Sequence, residues 1–102
     1  NMHVPPFNSG LDLAPELGDD LSLRGGATSN MKPVGSTAVA DAITKYKPVL
    51  TLHGHVHESR GSARIGDSVA LNPGSEYNAG VLRGVLVRLD GDRVASHQFV
   101  SA

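Results

Sequence analysis

Apolar residues in this chain come in short bursts separated by Gly-, Pro- and Asn-rich gaps, and the bursts follow two periods. In the stretch Gly35–Pro48, Val39, Ala42, Ile43 and Tyr46 stand at i, i+3, i+4 and i+7, the spacing of one helical face. Asp41, Thr44, Lys45 and Lys47 take the other face. Ser36 is a good N-cap and Pro48 a good stop, and lysines near the C-terminal end suit the helix dipole. The apolar run Val49–Leu52, with His53 after it, reads as a short buried strand. Ser62–Ile65 and Ser68–Leu71 flank Gly66-Asp67, a two-residue hairpin signal. Val81–Leu89 and Arg93–Val100 flank Asp90-Gly91-Asp92 and predict a second hairpin. Ahead of the helix the pattern fails. Residues 1–4 read as the tail of a strand that Pro5 and Pro6 stop, because neither ring nitrogen donates to a ladder. Residues 7–34 read as loop, with Leu11, Leu13, Leu17, Leu21 and Leu23 scattered along it and a helical turn expected near Pro15–Leu17. A loop that long inside a domain calls for a special reason. A helix feeding directly into a buried strand predicts an α/β chain, mostly β with one clear helix.

At 102 residues there is room for one small core. Nine Lys and Arg against ten Asp and Glu leave no basic stripe, so charge does not indicate nucleic acid or an anionic membrane as a partner. The absence of cysteine removes disulfides and thiolate metal sites. Any metal must therefore be held by imidazole, carboxylate, amide or water. The opening residues, from Asn1 to Gly10, carry neither a basic region nor an apolar core of a signal peptide, and the apolar runs are far too short for a membrane span. The default expectation is a cytoplasmic protein. A start at Asn1, directly before a His-Val-Pro-Pro stretch, suggests the C-terminal portion of something longer.

Three of the five histidines fall within five positions, in Leu50-Thr51-Leu52-His53-Gly54-His55-Val56-His57-Glu58-Ser59. His55 and His57 are i and i+2, so on an extended chain they would face opposite ways. A tight turn past a strand end lets both converge, and Gly54 gives the backbone that freedom. Paired neutral imidazoles on such a loop are typical ligands for a divalent transition metal. His3 lies at another expected strand end. Open α/β sheets place their sites at strand C-termini, so His3, His55 and His57 are candidates to converge. Spacing alone does not separate this from an ordinary pair of surface histidines. His53 reads as a supporting strand residue and His97 as a plain strand residue.

Gly54-His55-Val56-His57 resembles the G-H-x-H motif of the calcineurin-like metallophosphoesterase family. His3-Val4-Pro5-Pro6 resembles the H-x-P-P stretch that precedes it there, and Asn72-Pro73-Gly74-Ser75 resembles the loop that follows. The order and spacing agree from His3 to about Leu89. The resemblance implies a four-layer α-β-β-α sandwich of which residues 1–102 are the C-terminal portion, the N-terminal half of the same domain being absent. It implies hydrolysis of a phosphate mono- or diester by a hydroxide at a two-metal centre of Mn, Fe or Zn. His3 and His55 would share one ion and His57 would bind the other. Glu58, as a support for an imidazole, and Ser75, on the substrate side, are secondary candidates. Glu58 reads equally as a solvated residue, and the Asn-Pro-Gly run equally as a plain turn. Arg60, Arg64 and Arg83 are candidates to meet a substrate phosphate.

The family's D-x-H, bridging G-D and G-N-H-[DE] motifs have no counterpart here. Gly18-Asp19-Asp20 and Gly66-Asp67-Ser68 lie downstream of His3, in the wrong order, and Asp12 has the wrong context. One ion would keep two protein ligands and the other only one, far below the usual four. The expectation is thus an incomplete, inactive fragment holding fewer metal ions than its parent, or none. Two rivals stand beside it: a mononuclear zinc hydrolase using His3, His55 and His57, and a non-catalytic binding module derived from the fold.

Overall fold

A computed structural model describes residues 1–15 and 31–102. The described chain is mostly strand with one α-helix, in the order β1 (Leu13–Pro15), β2 (Met31–Pro33), α1 (Thr37–Tyr46), β3 (Leu50–Leu52), β4 (Gly61–Ile65), β5 (Ser68–Asn72), a 3₁₀ turn (Tyr77–Ala79), β6 (Arg83–Asp90) and β7 (Arg93–Ser101). The expected α/β character, with strands dominant, holds.

The central layer is the sheet β3-β5-β4, in which β3 runs parallel and β4 antiparallel to β5. β5 lies between two partners, and four of its five residues are buried. This explains its apolar run Val69-Ala70-Leu71, since a strand with neighbours on both sides and cover on both faces has little use for alternation. Among the described residues the buried apolar core consists of Leu11, Ile43, Val56, Ala70 and Leu71.

Helix α1 starts and stops where the sequence indicates. The Ser36 side chain accepts from the Val39 N–H at 3.1 Å. At the other end Lys47 takes a left-handed conformation, φ 50°, and its N–H closes onto the Ile43 carbonyl, an end motif that satisfies an orphan C=O before Pro48. The expected apolar face is only partly used. Ile43 is buried and Val39 and Ala42 are half-buried, but Tyr46 is 72% exposed. The last turn runs past the edge of the core, so among the described residues no apolar neighbour covers the fourth member of the stripe, over whose ring the Lys45 ammonium lies at 5.2 Å.

Both hairpins form, each through a two-residue Gly-Asp loop. Ile65 pairs with Ser68 around Gly66-Asp67, and Asp90 pairs with Arg93 around Gly91-Asp92. Gly66 and Gly91 have φ of 61° and 62°, whereas neither aspartate has positive φ, the pattern of a turn that needs Gly at its first central position. Asp90 is therefore a strand residue rather than part of the expected three-residue loop. β6 starts two residues later than expected, because Glu76 and Val81 form their own bridge across the 3₁₀ turn. A bulge between Arg88 and Leu89 shifts the register near the turn.

Two expectations for the N-terminal third need correction. Residues 1–4 form no strand, although they dock on the end of β3: the Met2 N–H donates to Leu52 O at 3.0 Å and the Gly54 N–H to His3 O at 2.8 Å. The bonds belong to no continuous ladder because Pro5 and Pro6 lack the donors to extend one. The stretch 7–34 is not all loop, since β1 and β2 pair antiparallel within it. Leu11 is buried, as a pinning residue should be. Pro15 ends β1, and the remainder of the expected helical turn, with Leu17, Leu21 and Leu23, lies outside the described residues. Among the described residues no helix is long and apolar enough to cross a membrane.

Candidate metal centre and adjoining cleft

The backbone between β3 and β4 makes a sharp reversal. The Val56 N–H donates to Gly54 O at 2.6 Å, and His55 between them has φ 60°. A three-residue turn with positive φ at a non-glycine centre is rare and costs roughly 1–3 kcal/mol. The surroundings hold it in place. The Val56 side chain is buried, and its carbonyl accepts from Asn72 Nδ2 at 3.0 Å. Three residues on, buried Ser59 donates to Gly10 O at 2.7 Å and accepts from the Leu13 N–H at 3.1 Å. The histidine turn is thus tied from below to the end of β5 and to the N-terminal segment.

This turn separates His55, at its centre, from His57 just beyond it. The His55 ring meets the His3 ring edge-on, centroids 5.3 Å apart at 77°. The His57 ring instead stands edge-on to Tyr77, at 5.5 Å and 89°. The structure therefore brings His3 and His55 together from distant segments and leaves His57 with a different neighbour. Gly54 makes the first meeting possible: a Cβ there would lie 3.3 Å from two atoms of the His3 ring. Two imidazoles sharing one ion, with metal–nitrogen bonds of about 2.0–2.1 Å at an open angle, place their centroids roughly 5 Å apart. The His3–His55 separation is compatible with that arrangement and is equally that of edge-to-face ring packing. Among the described residues no group of three or more His, Cys, Asp or Glu gathers to complete a donor set.

His53, between the sheet and this turn, is buried and serves the frame. Its Nδ1 lies 2.8 Å from Met2 O and its Nε2 2.8 Å from Thr51 Oγ1. A carbonyl only accepts, so Nδ1 carries the proton and Nε2 accepts from the threonine hydroxyl. Burial pushes the imidazole pKa below its usual value, against backbone hydrogen bonds at Met2 and Val4 that favour the charged form. The pair locks His53 to the segment that carries His3.

The loop after β5 is fastened to the same turn. Asn72 is fully buried. Its amide donates to Leu11 O and Val56 O, at 3.1 and 3.0 Å, and its carbonyl accepts from the Gly74 N–H at 2.9 Å. It is more than the turn residue the Asn-Pro-Gly signal suggests, because it joins three segments. The Ser75 N–H donates to His57 O at 3.1 Å. Gly74, at φ 75°, lies where a Cβ would come within 3.1 Å of His57 O and Arg60 Cβ.

Beyond His57 an open cleft of about 730 Å³ extends along Glu58, Arg60, Ser75, Asn78 and Arg83. Ser75 lies beside His57 in the same cleft wall. Glu58 is exposed in the cleft wall and makes no hydrogen bond to an imidazole among the described residues. The arginine candidates divide. Arg83 forms an ion pair with Glu76, which closes the 3₁₀ turn onto β6. Arg60 lies over the Phe99 ring, 5.5 Å from its centroid. Arg64 faces away, in a separate groove with Lys47, Asp67 and Asp92. His97 packs edge-on against Phe99, as a strand residue would.

No protein family, characterised protein or solved structure matches this chain.

Sequence reading passed over Tyr77 and gave Asn72 and Ser59 too small a role. Tyr77 carries a faint signal as one of only four aromatic residues, two Tyr and two Phe. Asn72 and Ser59 carry none, because a polar residue that will be buried as a clamp looks in sequence like a loop residue.

Proposed function

We propose that this chain is part of a metal-dependent phosphoesterase, the C-terminal portion of a four-layer sandwich, and that its histidine turn supplies the neutral half of a two-metal centre. The approach of His3 and His55 carries the reading: two imidazoles far apart in sequence lie at a separation suited to one ion. His57, held on the far side of the same turn, suits a second ion. When bound, such ions polarise phosphoryl oxygens and provide a hydroxide nucleophile at neutral pH.

This chain's own residues do the placing. His53 and Asn72 fix the segments that carry the imidazoles, and the cleft past His57 leaves room for the organic part of an ester. Carboxylate ligands come from outside the chain, so the chain by itself does not hydrolyse. The mononuclear reading needs all three imidazoles on one ion, and the position of His57 against Tyr77 disfavours it.

A titration with Mn²⁺ tests the assignment on the chain alone. Paramagnetic broadening should strike the ring protons of His3 and His55 first and leave His97 sharp. The His55→Ala variant should lose the effect at His3. Equal broadening at all five histidines, or no change in the variant, refutes the ligand pair. Adding the acidic half as a separate polypeptide should yield hydrolysis of an aryl phosphate diester, abolished by His55→Ala and by His57→Ala.

A further inference from the structure

Two strand edges face each other across a groove that shares no residue with the cleft past His57. The central sheet ends at β4, and among the described residues no strand pairs with its outer edge. β7 likewise has only β6 beside it. The two strands run side by side in opposite directions. Arg60, just ahead of β4, lies over Phe99 of β7. Residues 62–64 then face residues 94–97 across a cavity of about 340 Å³, and further on Arg64 and Asp67 line the same hollow as Asp92 and Val94. Consecutive residues form both walls, whereas a sheet face would offer every second one. The groove is therefore bounded by the backbone edges themselves. Strands close enough to bond, about 4.8 Å apart, would leave no such cavity between them.

The ladders on either side fix which backbone groups point into it. On β5 the Val69 N–H donates to Val49 O, and Leu71 O accepts from the His53 N–H, both on the β3 side. Arg64 and Ser62, which stand opposite Val69 and Leu71, thus belong to the pairs that exchange no bonds in an antiparallel ladder, and their N–H and C=O groups point outwards. In the hairpin, Leu82 and Ala102 exchange both bonds. Alternation along the register from that pair turns Ser96 and Gln98 towards β6 and leaves His97 and Phe99 pointing outwards.

Two rows of backbone donors and acceptors stand opposite each other, and an unpaired edge is a template for another strand. The side chains leave these edges open: Ser62, Ala63, Ala95 and Ser96 are small, and neither wall contains a proline. Arg64 lines the groove and no carboxylate does. A second copy of the chain is a poor occupant. An inserted strand must be open on both sides, and each described strand already has a neighbour. We propose that the groove captures an extended peptide from another protein, which adds a strand between β4 and β7 and sets a carboxylate on Arg64. Main-chain bonds supply the affinity. Because the walls run in opposite directions, the peptide lies parallel to one and antiparallel to the other.

The probe is the capped peptide acetyl-Thr-Val-Glu-Val-Thr-amide, titrated into the whole chain and followed by amide shifts in two-dimensional NMR. Shifts and slowed amide exchange are expected at Ser62, Arg64, His97 and Phe99. Methylating both valine nitrogens removes the peptide's donors on one side and should weaken binding about tenfold. Ser62→Pro deletes one outward donor without touching the ladder to β5 and should also weaken it. A lysine in place of the peptide's glutamate should bind less well, and Arg64→Glu should reverse that preference. The proposal is overturned if the peptide causes no shifts at millimolar concentration, if shifts fall on one edge alone, or if the methylated peptide binds equally well. A glutamate preference that survives Arg64→Glu removes the carboxylate from Arg64. If the same shifts appear without peptide as the chain is concentrated, and sedimentation gives a dimer, the edges pair between copies and the peptide reading falls.

Discussion

The junction under the histidine turn and the β6–β7 hairpin are built on opposite principles. At the junction, distant segments are joined by buried polar side chains: Asp12, His53, Ser59 and Asn72. Asp12 Oδ2 accepts from the Asn8 and Gly35 N–H groups at 2.8 and 2.9 Å, while its Oδ1 is buried without a partner among the described residues. Each such group is costly if its hydrogen bond is lost, so the geometry is exacting and a single change spreads. The hairpin is held by its own ladder from Arg83↔Ser101 to Asp90↔Arg93, and it leaves Leu82, Leu86 and Leu89 in solvent. A local ladder tolerates side-chain change. The candidate site follows the same division: the two converging imidazoles stand on the exacting part, and the cleft's far wall stands on the tolerant one.

Substitutions should expose that contrast in a graded way. The largest effect is expected at Gly35, where a Cβ would lie 2.6 Å from Pro5 O and 2.8 Å from both Pro6 O and Asp12 Oδ2. Two of these are backbone atoms with little room to yield, so Gly35→Ala should cost about 3 kcal/mol in urea unfolding. A loss under half of that would mean that the junction is softer than described. Asn72→Ala comes next, because it strands the Leu11 and Val56 carbonyls. About 2 kcal/mol is expected, together with loss of the close His3–His55 approach as seen in ring-proton cross-relaxation. If the imidazoles stay together in Asn72→Ala, the clamp has no part in placing them.

Acid should act on the junction through His53. Its folded pKa is lowered, so the unfolded chain binds the proton more readily and stability rises with pH. The contribution is intact above the unfolded value of about 6.5 and is lost as pH falls from there through the folded value. Melting temperature followed downward from neutral pH should therefore drop in the wild-type chain, with a shallower slope in His53→Gln. Parallel slopes would assign the acid sensitivity to other groups. The smallest effect belongs to the hairpin: Leu86, 62% exposed, should accept Gln within about 0.5 kcal/mol. A larger loss would show that this face is covered in solution and that the contrast between the two regions is overdrawn.

Much of the fold was legible where the instructions are local. The Ser36 cap, the Pro48 stop and the Gly-Asp loops each act through neighbouring backbone, and each lies where the sequence indicates. The cover over Val69–Leu71 follows as directly from their apolar run, whereas β3 is less buried than its run suggests: only Thr51 is buried, Leu50 and Leu52 are half-buried and Val49 is exposed. Tyr46 shows the limit of periodicity, which says which residues share a face but not whether a partner reaches that far. The strand expected at residues 1–4 failed for a related reason. Its backbone does dock on β3, but two prolines deny it the donors of a ladder.

The histidine spacing marked the candidate site, because three imidazoles in five positions stand out in any reading of the chain. Which of them meet is a different kind of fact. His3 and His55 approach because Gly54 leaves space, Asn72 and His53 bind their segments together, and the turn at His55 points its neighbours apart. Those are long-range steric and hydrogen-bonding conditions, satisfied only when segments remote in sequence share one interior. Tyr77 and the division of labour among Arg60, Arg64 and Arg83 depend on strand faces in the same way. The sequence alone thus specified the helix, the two hairpins and the residue types at the candidate site, and the tertiary structure decided the remaining strands and the pairings, since contact between distant residues is encoded in no single stretch of chain.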